Sequence, residues 1–145
     1  MIPQGRVIGL DLGSRRIGVA VTDAGQTLAT PALTINRASS READHLAIAG
    51  LVEEYGAVGL VVGLPISLSG DIGPAALAVL QEVEELRSAL AVEVETVDER
   101  LTTVAAAGSM RDAGLGTRRH RAVIDQAAAA ELLQTWVERR KASIT

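Results

Sequence analysis

The chain has 145 residues, of which 48% are hydrophobic, and it contains no Cys and only two aromatic residues, one Trp and one Tyr. The absence of Cys excludes a disulfide framework, a zinc–thiolate site and thiol catalysis, and two aromatic residues are too few for a base-stacking platform. The net charge of −4 does not by itself indicate a nucleic-acid-binding protein. The charge is uneven, however, since residues 1–97 hold 6 basic and 12 acidic side chains and residues 98–145 hold 8 and 6.

Three short strands are predicted at the start of the chain. An apolar, β-branched run at 6–12 is followed by a Gly-Ser-Arg-Arg turn, a second run at 17–22 and a third at 27–35. Short turns between successive strands predict an antiparallel meander. Ser39 and Glu42 then form a capping box that opens the first helix, in which His45 is expected to lie at the surface.

Strands and helices alternate in the remainder of the chain. The continuous apolar run 58–62 predicts a strand buried on both faces. Pro74 suits the first turn of the next helix, whose Glu82, Glu84 and Glu85 we expect largely opposite its apolar stripe. A strand at 92–97, a short helix from Thr102 or Thr103 to about Gly114, a basic loop and a final helix at about 122–141 complete the chain.

This order predicts the α/β class, with a mixed five-stranded sheet, antiparallel in its first three strands, between helices on both faces. No repeat, low-complexity tract or linker divides the sequence, so we expect a single domain spanning residues 1–145. The longest apolar stretch, 57–68, is interrupted by Pro65 and is too short to span a bilayer. We therefore expect a cytoplasmic protein that does not associate with membranes.

Carboxylates stand at one end of each of three apolar patterns. Asp11 ends the first strand, and Asp98 with Glu99 ends the last one. Asp125 heads a helical stripe that continues through 129, 132 and 136, so it should face the core and require a partner there. If the first and last strands are parallel, Asp98 and Glu99 reach the same carboxyl edge of the sheet as Asp11, and α/β proteins bind ligands at that edge. The pattern alone does not choose between Asp98 and Glu99.

Converging carboxylates repel each other unless a cation neutralises them. Oxygen ligands without Cys or clustered His favour Mg²⁺ or Mn²⁺, which can activate water and stabilise a leaving oxygen in phosphodiester cleavage. The predicted loop Arg118-Arg119-His120-Arg121 precedes Asp125 and would bring phosphate-binding groups beside this metal site.

Four segments, GLDLGSRRIGVAVTD, VVGLP, VDERLTT and AVIDQAAA, resemble the signature blocks of the YqgF/RuvX family in order and spacing. That family is described as RNase H-like nucleases, either Holliday junction resolvases or precursor ribosomal RNA nucleases. The resemblance implies an RNase H-like fold and a catalytic, metal-binding triad of Asp11, Glu99 and Asp125. Arg16 and Arg100 also match the blocks, and together with Arg118, Arg119 and Arg121 they make up the predicted nucleic-acid contacts. RuvC-type resolvases carry an acid after the fourth strand, whereas this chain has Gly63-Leu64-Pro65 there.

The implied activity is metal-dependent cleavage of structured nucleic acid. The substrate would be either the 5′ end of precursor 16S rRNA, in ribosome biogenesis, or a four-way DNA junction, for which a resolvase should be a two-fold homodimer. Two alternatives belong to other classes. The first block also resembles the first phosphate loop of actin, Hsp70 and sugar kinases, which would make the chain a nucleotide-phosphate binder. The other alternative is a non-catalytic scaffold that binds nucleic acid or a ribosome-assembly partner.

Overall fold

The computed structural model describes residues 1–101 and 118–144. A mixed five-stranded sheet has the strand order β3-β2-β1-β4-β5. Its strands are β1 (Val7–Leu12), β2 (Arg16–Thr22), β3 (Ala29–Asn36), β4 (Gly59–Leu64) and β5 (Glu93–Asp98). The first three pair antiparallel, and β4 lies parallel to both β1 and β5. The predicted mixed sheet with an antiparallel meander is therefore confirmed.

In the described residues, three α-helices cover the sheet: α1 (Arg41–Tyr55), α2 (Pro74–Ala89) and α3 (Arg118–Ile144). Ser40, rather than the predicted Ser39, caps α1, because its side chain accepts a hydrogen bond from the Ala43 amide. Gly56 ends α1 in the left-handed conformation, with φ of 61°. Pro74 opens α2 as predicted. The helix predicted between Thr102 or Thr103 and Gly114 lies outside the described residues.

The two faces of the sheet pack against different helices. Alternate residues of the central strands, such as Ile8, Leu10, Leu60 and Val62, join α1 and α2 in one buried cluster. The residues between them pack beneath α3 in a second cluster, which contains Val7, Val61, Val97, Ala129, Leu132 and Leu133. The sheet is thus the middle of three layers. Within the described ranges, no helix is both long enough and apolar enough to cross a membrane.

Two surface predictions on the α1 and α2 side are wrong. His45 is buried, with 7% of its surface exposed, and Glu82 is buried as well, with 3% exposed. Both positions continue an apolar stripe at helical spacing, since His45 precedes Ile48 by three residues and Glu82 lies between Val79 and Leu86. Their burial is compensated by polar partners, which are described below.

Candidate active site

Asp11 lies at the carboxyl end of β1, on the face of the sheet that α3 covers. It shares that face with Val7 and Gly9, because alternate residues of a strand point the same way. A Cβ added to Gly9 would lie 2.8 Å from the Cβ of Leu133, so α3 packs almost directly on the β1 backbone. Only 7% of Asp11 is exposed. The strand thus holds this carboxylate in a buried position under the start of α3.

Asp125 reaches the same place from α3. In the β1–β2 pairing Asp11 lies opposite Gly18, and a Cβ on Gly18 would lie 2.0 Å from the carbonyl oxygen of Asp125. The helix can therefore approach the sheet beside Asp11 only because residue 18 has no side chain. Asp125 is buried, with 4% exposed, as its place at the head of the apolar stripe predicts. The Nε of Arg16 donates a hydrogen bond of 2.7 Å to its Oδ2.

Glu99 extends over the neighbouring strand. Leu10 lies opposite Val62 in the β1–β4 pairing, so Asp11 is level with Gly63. A Cβ on Gly63 would lie 2.7 Å from Oε1 of Glu99 and 2.8 Å from the side chain of Leu132 in α3. The Glu99 carboxylate consequently occupies the α3 face of β4, on the side of Asp11 away from Gly18.

Asp98 is engaged differently from its neighbour. Both of its carboxylate oxygens accept hydrogen bonds from the Arg100 side chain, at 2.6 to 3.1 Å, and the Arg100 amide donates another of 2.9 Å. These hydrogen bonds lower the pKa of Asp98 below its ordinary value. The pair lies toward solvent, with the Asp98 side chain 20% and the Arg100 side chain 35% exposed. Asp98 therefore forms a local ion pair, whereas Glu99 extends over the sheet.

The three predicted acids thus come to one edge and one face of the sheet. Three carboxylates supply the oxygen ligands that Mg²⁺ and Mn²⁺ prefer, so the donor set suits such an ion in charge and in ligand type. The distances between these carboxylates, however, do not suit a single ion. In residues 1–101 and 118–144, no group of three or more Asp, Glu or His side chains is arranged to hold one metal ion.

The predicted basic loop is wrong, because residues 118–121 form the first turn of α3. Arg is a good helix former, and no Gly or Pro interrupts this run, so its charge did not indicate a loop. Arg119 is exposed, and Arg121 is partly buried. Within the described part of the chain, the buried Nε of Arg121 has no hydrogen-bond acceptor. Of the Arg118 side chain nothing is described.

The sequence of this chain matches a known protein family over most of its length. A family model described as "RuvX: Holliday junction resolvase" matches residues 5–139. The chain belongs to the RuvX family. A Mycolicibacterium paratuberculosis protein named "Putative pre-16S rRNA nuclease" is 47% identical over 142 residues, which are 97% of this chain and 84% of that protein. A Roseiflexus protein of the same name is 45% identical over 137 residues, 94% of this chain and 96% of its own length.

Solved structures support the fold. The RuvC of T. thermophilus in complex with a Holliday junction substrate matches with a TM-score of 0.53 at 18% identity, over 94% of this chain and 96% of that one. A second Thermus thermophilus RuvC structure matches at 0.50. The predicted RNase H-like fold is thereby confirmed. The family and the relatives show that this RuvX chain is a nuclease of structured nucleic acid, and therefore a phosphodiester hydrolase. This finding favours the nuclease hypothesis over the nucleotide-phosphate binder.

The sequence prediction missed a second group of charged residues, on the α1 and α2 face. Arg37 follows β3 and forms hydrogen bonds of 2.7 and 2.9 Å with the two carboxylate oxygens of Glu82. It also contacts Asp44 at 3.1 Å, and His45 Nε2 lies 2.9 Å from Glu82. The sequence signal that could have found this group is charged or polar residues at apolar-stripe positions of α1 and α2. The same signal identified Asp125. Periodicity gives no indication, however, that Arg37 is their partner.

Proposed function

We propose that this RuvX chain is a divalent-metal-dependent endonuclease that removes the 5′ extension of precursor 16S rRNA. In this proposal Asp11, Glu99 and Asp125 hold the ion, and one nuclease domain spans residues 1–145 and works in the cytoplasm. The main support for this proposal is that the three carboxylates lie together where β1, β4 and β5 end, on the face of the sheet that α3 covers. The RNA substrate is supported by the names of relatives that are 45–47% identical over nearly the whole chain.

The metal part of the proposal rests on the donor set. The chemistry that Mg²⁺ or Mn²⁺ would supply there is activation of water and stabilisation of the leaving oxygen in phosphodiester hydrolysis. Since the carboxylates as described are not arranged to hold one ion, the proposal requires them to approach one another when it binds. The hydrogen bond from Arg16 orients the Asp125 carboxylate for that purpose.

Arginines are proposed to hold the substrate. Arg119 and Arg121 lie in the first turn of α3, where the helix dipole also favours phosphate. The Nε of Arg121, buried without an acceptor in the described residues, is a donor that a phosphate oxygen would satisfy. Arg118 is assigned to the same group, and Arg16 and Arg100 flank the carboxylates. With so few aromatic side chains, binding would depend on backbone contacts and shape rather than on stacking.

The second candidate is a four-way DNA junction, because the family model carries the description of a junction resolvase. A junction has two equivalent strands to cut, so this activity would require a two-fold homodimer with paired sites. Removal of an rRNA extension requires one site. Substrate and oligomeric state are therefore to be measured together.

The test is cleavage of a precursor 16S transcript and of an immobile four-way junction, each in Mg²⁺ and in Mn²⁺, with the oligomeric state determined by sedimentation. We expect cleavage of the RNA extension, and a loss of at least about 100-fold in Asp11→Asn, Glu99→Gln and Asp125→Asn. Glu53→Gln, an exposed acid on α1, is the control and should cut like wild type. Full activity in Asp11→Asn would refute the site. Preferred cleavage of the junction by a dimer would refute the RNA substrate.

A further inference from the structure

The turn between β1 and β2 joins two residues of the proposed site. Asp11 lies just before it, and Arg16, which hydrogen-bonds Asp125, begins the strand after it. Inside the turn, the Gly13 amide donates to the carbonyl oxygens of Asp11 at 3.1 Å and Arg16 at 3.0 Å. These local hydrogen bonds shape the turn but do not fix it relative to the helices.

Arg37 supplies contacts from outside the turn. Its Nε donates a hydrogen bond of 3.0 Å to the carbonyl oxygen of Gly13. Its backbone amide donates one of 2.9 Å to the carbonyl oxygen of Arg15. A single residue therefore holds the first and the last residue of the turn between Asp11 and Arg16.

The guanidinium of Arg37 is itself fixed by buried acids. Glu82 of α2 accepts from both of its terminal nitrogens, and Asp44 of α1 accepts from one of them. The Glu82 and Asp44 side chains are each only 4% exposed. His45 contacts Glu82, and the other oxygen of Asp44 accepts from the Ala38 amide at 2.7 Å. A planar fork with five donors can make these contacts together with the one to Gly13, whereas an ammonium group cannot.

We propose that Arg37, oriented by Glu82, is a positioning residue for the nuclease site. It fixes the turn from the α1 and α2 side, so that Asp11 and Arg16 keep their relative places, and through Arg16 it also orients Asp125. Its contacts are with Gly13, Arg15 and the buried acids, so it acts through the turn and not on substrate. The inference rests on the proposed function, because it assumes that Asp11 and Asp125 belong to the site.

The test combines amide hydrogen exchange with cleavage kinetics on full-length Arg37→Gln and Arg37→Lys. Exchange in the segment 11–18 should become at least about tenfold faster, more in Gln than in Lys, while exchange in β4 at 59–64 changes much less. A tenfold or larger fall in kcat with KM within about twofold is the expected kinetic result, because misplacement of reacting groups lowers the rate of the chemical step. Arg41→Gln is the matched control, since its guanidinium pairs with the exposed Glu85 rather than with Gly13 or Glu82.

Three outcomes would overturn the inference. These are wild-type exchange in 11–18, an increase of equal size in β4, and a rise in KM at unchanged kcat. If Arg37→Gln does not fold, the same measurements are made on Arg37→Lys and Glu82→Gln, because each of these variants keeps a polar side chain at the substituted position. Failure of the proposed function is separate: it would appear as full activity in Asp11→Asn, and the exchange experiment would still report whether Arg37 holds the turn.

Discussion

The two faces of the sheet differ in how their buried charges are arranged. On the α1 and α2 face, the acids Asp44 and Glu82 are matched within the protein by Arg37 and His45. On the α3 face, Gly18 and Gly63 let a helix and a carboxylate approach the backbone, and three acids collect at one edge. Removing one member of the first group would leave a buried charge uncompensated, which is strongly destabilising. This group of Arg37, Asp44, His45 and Glu82 is the structural cluster. The three acids of the second group lie at the carboxyl edge of the sheet, where α/β proteins bind ligands.

Breaking the structural cluster should have the largest effect on stability. Arg37→Gln leaves the buried carboxylates of Asp44 and Glu82 without their guanidinium, which costs about 3–5 kcal/mol in comparable buried pairs. Arg41→Gln removes a pair whose side chains are 44% and 47% exposed, and we expect less than about 1 kcal/mol. Urea unfolding of both variants measures the difference. Equal losses would mean that burial does not distinguish the two pairs.

A side chain added where α3 approaches Gly18 should have the next largest effect. In Gly18→Ala the new Cβ would meet the carbonyl oxygen of Asp125, a backbone atom that can move only with α3. We expect a cost of about 1–3 kcal/mol and a fall in cleavage activity, because Asp125 would shift. Gly50→Ala is the control, since in this α1 position an added Cβ meets nothing within 4 Å. It should stabilise the chain by about 0.5–1 kcal/mol, and thermal unfolding would show whether the two changes differ in sign.

The structural cluster should also make the stability of the fold sensitive to acid. Burial alone would raise the pKa of Glu82, but hydrogen bonds from Arg37 and His45 outweigh it and lower the pKa below the ordinary value of 4.5. The unfolded chain therefore takes up this proton first, so the stability from Glu82 is present above pH 4.5 and is lost as the pH falls through the folded-state pKa.

We expect Glu82→Gln to show a shallower loss of stability below pH 4.5 than wild type, measured as the urea midpoint at a series of pH values. Glu85→Gln, which changes an exposed acid of the same helix, should keep the wild-type slope. An unchanged slope in Glu82→Gln would show that its carboxylate does not carry this acid sensitivity.

Sequence patterns were sufficient for the sheet because its signals are local. The runs around Val7 and Val61 are continuous and apolar, so each strand was located within about two residues. The start of α3 was misplaced because a run of Arg indicates charge and not conformation. The choice of Glu99 over Asp98 came from the family resemblance, since both end the same strand. The role of Arg37 depends on Glu82, 45 residues further along the chain, a pairing that periodicity cannot reveal.

The smallest expected effect concerns substrate binding at the start of α3. Each phosphate contact that is lost lowers the slope of log affinity against log salt by about 1. Arg119→Ala should therefore reduce the slope by about 1 for binding of the precursor transcript, measured by fluorescence anisotropy in the absence of a divalent ion. Arg6→Ala removes the same charge at the opposite edge of the sheet, just before β1, and should leave the slope unchanged. If both variants reduce it equally, binding follows the net charge of the chain, and the carboxyl edge has no special role in holding phosphate.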